Sequence, residues 1–184
     1  MGVDTFRTGN GADWLDFLAT RLGRYRAEQV EMLAGPQQLR AWLRQHGMEP
    51  SGAPTGDDVA AAHELRESLH RLAVAAVDRQ PPRSADIHAL RKALAVDAPL
   101  GVRQSGSGLA LIRPASTAEA MARLARQAAE HLTGPTRDRL RACGDELCSG
   151  IYLDHSGRRR WCSDERCGVR ARVRAHRARA RERG

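Results

Sequence analysis

Apolar residues recur every three or four positions in five stretches of the chain, with polar residues between them. This spacing predicts five amphipathic helices, each with one buried face. Asn10 is the predicted cap of the first helix, which reaches about Leu22. The second helix is predicted at Gly35-Pro36, with the proline at an early helical position, because proline fits the first turn of a helix.

Capping residues predict where the other three helices begin. Thr55, with Asp58 three residues later, is a variant of the capping box and opens a long third helix. Ser84 and Thr117 are the predicted caps of the fourth and fifth helices. Gly134-Pro135 ends the fifth helix and is the predicted domain boundary.

Residues 100–113 carry apolar and β-branched residues on both sides of a Gly/Ser turn, which predicts a small hairpin. The predicted fold class is mainly α. A helical N-terminal domain with that hairpin spans residues 1–135, and a small four-cysteine finger spans residues 136–184. The helical part shows no nucleophile-base arrangement, paired-carboxylate motif or glycine-rich phosphate loop, so the protein is not expected to be an enzyme.

The composition is typical of a soluble protein. Hydrophobic residues make up 41% of the 184 residues, which is enough for a hydrophobic core. The sequence lacks both an apolar run of about 18 residues that would span a membrane and the apolar stretch of a secretory signal. We therefore expect a cytoplasmic protein without a membrane partner.

All four cysteines lie close together in the sequence. Cys143 and Cys148 form one pair, Cys162 and Cys167 the other, and thirteen residues separate the pairs. In a reducing cytosol such pairs are typical of metal ligands, with free buried cysteines or two disulfides as the alternatives. Four thiolates suit one structural Zn²⁺ in a closed site, whose binding energy supplies the folding energy that a small polar unit lacks.

The positive charge of the chain is confined to its end. Eleven arginines and three acidic residues lie between Gly157 and Gly184, which accounts for the whole formal net charge of +8. Arg159, Arg160 and Arg166 lie near the cysteines, and we expect them to favour the thiolate form.

A hairpin is predicted in residues 151–161, with an apolar strand, a turn at 154–157 and a basic strand. Ser163 is the predicted start of a helical turn, and alternating arginine and alanine favour a helix from Val169 onward. Four arginines share one face of that helix: Arg170, Arg174, Arg177 and Arg181.

These arginines predict DNA as the partner. Arginine donates paired hydrogen bonds to phosphate or guanine, and a basic helix gains order when a polyanion neutralises it. The predicted DNA-binding residues are Arg158, Arg159, Arg160, Arg170, Arg172, Arg174, Arg177 and Arg181. A solvated basic tail is the alternative.

The second cysteine pair lies in a sequence that resembles the CGNR zinc finger family. Cys167-Gly168-Val169-Arg170 is similar to the run that names the family, with Val169 in place of asparagine. Arg159-Arg160-Trp161-Cys162-Ser163 is similar to the family's Arg-Arg-Trp-Cys-Ser. The resemblance implies a finger that binds zinc and DNA.

The N-terminal part resembles the ABATE domain, a stress-induced transcription regulator domain that commonly precedes this finger. The stretch from Trp14 to Thr20 is similar to the domain's Leu-Asp-Phe-Val-Asn-Thr, with Ala19 in place of asparagine. Residues 39–47 resemble the Trp-Leu helix that follows. The resemblance implies that the helical domain senses a small-molecule effector or a partner.

Three functions are compatible with these patterns. The leading hypothesis is a zinc-dependent, DNA-binding transcription regulator. The second is an RNA or non-specific nucleic-acid binder with Tyr152 and Trp161 as stacking surfaces. The third is a small-molecule receptor that uses its finger for protein interaction.

Overall fold

Six α-helices and three two-stranded antiparallel sheets form residues 6–181, the part of the chain that this computed structural model describes. The helices are α1 (Asp13–Leu18), α2 (Pro36–Gln45), α3 (Gly56–Val77), α4 (Ser84–Leu94), α5 (Thr117–Thr133) and α6 (Val169–Arg181). The strands are β1 (Arg21–Leu22), β2 (Val30–Glu31), β3 (Val102–Ser105), β4 (Gly108–Leu111), β5 (Leu140–Ala142) and β6 (Ile151–Leu153). The predicted mainly α fold is confirmed. None of the helices in residues 6–181 is long and apolar enough to cross a membrane.

Side-chain capping opens α3 and α5, whereas α1 and α4 begin without a side-chain cap. Thr55 and Asp58 form the predicted capping box at α3. Ser84 and Thr117 are wrong as caps, since each is the first helical residue of its helix. Ser116 caps α5, because its hydroxyl accepts a hydrogen bond from the Glu119 amide three residues later.

The first helix is shorter than predicted. Asn10 is not its cap; the side-chain amide of Asn10 is buried and donates to the Asp16 carboxylate at 2.8 Å. The helix ends at Leu18, and Leu22 belongs to β1, which pairs with β2. The hydroxyl of Thr20 donates to the carbonyl of Phe17 at 2.7 Å, which competes with further helical bonds.

The hydrophobic core lies between α1, α2, α3 and α5. Trp14, Phe17 and Trp42 are fully buried in it, and the last two rings are 5.3 Å apart. Three apolar residues from the strands of the C-terminal unit belong to the same cluster: Leu140, Ile151 and Leu153. Strand β5 contacts α3, and β6 contacts α1. The division into domains at residues 135 and 136 stays a prediction, and the two regions share one core.

The loop before α1 contacts β6 directly. The amide of Leu153 donates to the Asn10 carbonyl at 2.8 Å. Gly11 has a φ of +96°, and a side chain there would lie 2.9 Å from the Leu153 Cβ. This position therefore needs glycine for both its backbone conformation and the close approach of the strand.

Candidate metal centre and basic helix

The four cysteine sulfurs converge on one point. All four Sγ atoms lie within 4.8 Å of one another, and the Sγ of Cys162 lies 3.6 Å from those of Cys148 and Cys167. Tetrahedral Zn²⁺ with Zn–S bonds of about 2.3 Å holds its sulfurs about 3.8 Å apart. The cysteines are free thiols, so the disulfide alternative does not apply. The donor set therefore fits one closed, structural zinc ion.

Local backbone structure positions each cysteine pair. Cys143 and Cys148 occupy the connection between β5 and β6, where the Cys143 amide donates to the Gly150 carbonyl at 2.8 Å. Gly150 is required here, because a Cβ would lie 2.8 Å from the Cys162 sulfur. Cys167 lies in a π-helical turn that leads directly into α6. One ion thus ties the hairpin to the basic helix.

The predicted hairpin of residues 151–161 is wrong in its pairing. The turn at 154–157 forms around the Asp154 carboxylate, but β6 pairs with β5 instead of the basic run. The alternation of side chains between the two faces of β6 explains why it pairs with β5. Ile151 and Leu153 face the core, whereas Tyr152 packs against the cysteines. Strand β5 brings apolar Leu140 and Ala142 and the exposed Arg141 to this buried strand, whereas the basic run would bring three consecutive arginines.

Arg159 is held by internal contacts. Its guanidinium donates to the carbonyls of Gly9, Trp161 and Cys162 at 3.0, 2.9 and 2.5 Å. It also lies 4.3 Å from the ring centroid of Tyr152. The buried Tyr152 hydroxyl donates to the Arg159 carbonyl at 2.7 Å, so this ring is not open for base stacking.

Two arginines donate directly to the sulfurs, and neither was predicted from the sequence for this role. Arg170 contacts the Cys167 sulfur at 3.0 Å, and Arg7 contacts the Cys162 sulfur at 3.3 Å. Burial opposes the charge of Arg7, but the nearby thiolates outweigh it and raise its pKa. The 155-residue separation of Arg7 from Cys162 left no local sequence signal. Within residues 6–181, the three arginines predicted for this role make no such hydrogen bond to a sulfur.

Asp145 anchors the basic helix to the metal centre. Its carboxylate has no exposed surface and accepts hydrogen bonds from Arg170 at 2.7 Å and from Arg174 at 2.6 Å. Burial favours the neutral acid, but the hydrogen bonds from both arginines hold the pKa of Asp145 below its ordinary value. Arg172 makes a more exposed pair with Asp164 at 3.0 Å.

Two family models match the chain. The ABATE model, described as "Putative stress-induced transcription regulator", matches residues 11–135, which is more than half of the 184 residues. The chain belongs to the ABATE family. The CGNR zinc finger model matches residues 139–180, which hold all four cysteines and nearly all of α6. Both resemblances noted from the sequence are confirmed. No curated protein matches the chain.

Internal contacts divide the arginines predicted to bind DNA. Arg159, Arg170, Arg172 and Arg174 each have a partner within the CGNR finger. The other four arginines are exposed, and their side chains make no ion pair or hydrogen bond within residues 6–181. They are Arg158, Arg160, Arg177 and Arg181. The guanidinium of Arg160 lies 5.3 Å from the Trp161 ring centroid. The DNA-contact role of all eight stays a prediction.

We expect Asp145→Asn to destabilise the CGNR finger by about 2 kcal/mol, because the two guanidiniums lose a buried carboxylate but still reach water. Denaturant unfolding of the zinc-loaded protein measures the change. Asp164→Asn is the matched control, since it also removes an aspartate paired with α6, but one that is 68% exposed. Equal effects of the two variants would show that Asp145 has no special anchoring role.

Arg7→Gln should weaken zinc binding about tenfold, because hydrogen bonds to metal ligands stabilise the bound form. Competition with a chromogenic chelator measures the affinity. Arg158→Gln, the same change at an exposed arginine of the CGNR finger, should leave the affinity unchanged. An unchanged affinity in Arg7→Gln would remove this arginine from the metal centre.

Proposed function

We propose that the chain is a zinc-dependent, DNA-binding transcription regulator and not an enzyme. Its CGNR finger and α6 contact DNA, and its ABATE region senses an effector or a partner. The observation that carries the proposal is the set of exposed arginines placed around the metal centre and along α6. The protein acts in the reducing cytosol, where thiolates persist as metal ligands.

The shape of α6 supports this function. Its 13 residues form a rod of about 20 Å without a buried side chain. The first turns are held at the metal centre by Asp145, and the same face continues to Arg177 and Arg181. A helix with that exposure fits the major groove of DNA, which is about 12 Å wide.

DNA binding should depend steeply on salt. Five exposed arginines are available for phosphates: Arg158, Arg160, Arg177, Arg179 and Arg181. Each phosphate contact releases counterions, so log K should fall with log salt at a slope of roughly −4 to −5. Fluorescence anisotropy of a labelled duplex at several salt concentrations measures this slope.

A double variant locates these contacts. Arg177→Ala with Arg181→Ala should reduce the slope by about 2 and leave zinc binding intact. The matched control is Arg40→Ala with Arg44→Ala, which removes the same charge from α2, where both arginines pair with Glu49. Binding that ignores salt, or equal effects of the two double variants, would refute the proposal.

Space for an effector exists in a partly open groove of the ABATE region. A cavity of about 260 Å³ lies between α3, α4 and α5 and is lined mainly by apolar residues, including Leu65, Ala93, Val96 and Met121. Pockets for small molecules are typically concave and mostly apolar, with a few polar groups. Lys92 and Glu64 supply such groups here. This cavity supports the sensing part of the proposal.

A further inference from the structure

A second, smaller cavity lies where the ABATE region meets the CGNR finger. It has a volume of about 140 Å³ and is bounded by the end of α1, strand β1 and the connection that carries Cys148. Within residues 6–181, its lining contains no aspartate or glutamate. Five arginines line it: Arg7, Arg21, Arg26, Arg166 and Arg170. Such a set is unusual in a protein whose body has balanced charges.

The metal centre accounts for only part of this positive charge. Four thiolates around one Zn²⁺ leave a formal charge of −2, and Arg7 and Arg170 donate to those sulfurs. Arg21 lies 2.7 Å from the Gln29 amide oxygen and 3.5 Å from the Glu67 carboxylate. These three arginines therefore have internal partners.

Two arginines of the cavity have no carboxylate partner within residues 6–181. The guanidinium of Arg26 donates only to the Leu147 carbonyl, at a long 3.3 Å, and the Arg166 side chain makes no hydrogen bond within those residues. They come from different regions of the chain, Arg26 from the ABATE region and Arg166 from the finger. Both residues are exposed at the rim of the cavity, where their charges are open to an anion.

We propose that this cavity binds a small oxyanion, with the phosphate group of a free small molecule as the preferred class. Guanidinium groups donate paired, charge-assisted hydrogen bonds to phosphate, and these are strong where water is partly excluded. The space admits a phosphate group with some water but not a DNA duplex. The bound anion bridges the ABATE region and the finger. This site is distinct from the apolar cavity between α3, α4 and α5 and does not depend on the DNA-binding proposal.

Calorimetric titration of the zinc-loaded full chain with inorganic phosphate tests the site. We expect binding in the millimolar range or tighter. Arg26→Gln with Arg166→Gln should weaken it by at least about tenfold, because two charged donors are lost. Arg177→Gln with Arg181→Gln removes the same charge outside the cavity and should leave phosphate binding unchanged. Zinc content, measured for every variant, reports that the finger is intact.

Arg166→Gln alone provides the second measurement, because it leaves the ABATE region untouched. A several-fold loss of phosphate affinity in this single variant supports the site. Absence of binding to the parent protein overturns the proposal, as does an equal loss in the control pair, which would indicate diffuse charge. A third outcome also overturns the proposal. If the parent protein does not bind phosphate and the salt slope of duplex binding falls in Arg26→Gln with Arg166→Gln, these arginines contact DNA.

Discussion

Removal of zinc is expected to abolish DNA binding and to loosen the ABATE core in the same transition. Structural zinc contributes roughly 10 to 16 kcal/mol in zinc-finger peptides, which is comparable with the total stability of a typical domain. The ion joins the hairpin that carries Cys143 and Cys148 to the turn that carries Cys167. Without it, the hairpin loses the constraint that holds β6 against the core.

Chelation of the 184-residue protein is the direct experiment. We expect a large fall in the thermal midpoint, loss of near-ultraviolet circular dichroism from the buried tryptophans, and at least a hundredfold loss of duplex affinity. Cys162→Ser should reproduce all three effects, since its sulfur is central to the cluster. Re-addition of zinc should restore the parent protein but not the variant. An apo protein with an unchanged midpoint would contradict the shared core.

Leu153→Ala should destabilise the ABATE region and the finger together by about 3 kcal/mol, although the residue belongs to the finger. Leu153 is 3% exposed and lies within the main hydrophobic cluster, against the loop that contains Gly11. Truncation of a buried leucine removes apolar surface that folding takes out of water and leaves a cavity. This typically lowers the free energy of unfolding by about 2 to 5 kcal/mol. Thermal unfolding should therefore show a midpoint lowered by roughly 6 to 12 °C.

Leu109→Ala is the matched control for this prediction. The substitution is chemically identical, but Leu109 lies on β4 with 76% of its surface exposed, so its loss should change the stability very little. If Leu153→Ala shifts only the transition of the finger and leaves a separate ABATE transition unchanged, the two regions do not share a core. Two separate calorimetric transitions in the parent protein would lead to the same conclusion.

Much of the helical fold follows from local sequence signals. The capping box of Thr55 and Asp58 and the proline at Pro36 mark helix starts that the structure reproduces. The errors arise where two local choices compete. Ser116 and Thr117 are both good caps, and only Ser116 places a glutamate at the third helical position. Leu22 fits the helical period, but Thr20 ends the helix before that residue.

The metal ligands were also predictable, because thiolate pairs carry their spacing in the sequence. The surroundings of the metal were not. Arg7 approaches the Cys162 sulfur through the fold, and Asp145 becomes important because two arginines of α6 converge on it. The pairing of β6 was missed for a different reason: its partner, β5, has only three residues, which is too short for a clear strand pattern.

Selection of DNA from a random duplex library by the 184-residue protein, with and without a zinc chelator, measures zinc-dependent DNA recognition. We expect that a recurrent sequence is enriched only by the zinc-loaded protein and that Arg177→Ala with Arg181→Ala weakens the enrichment. Enrichment that survives chelation, or that never appears with zinc bound, would show that the finger does not recognise DNA through its zinc-dependent structure.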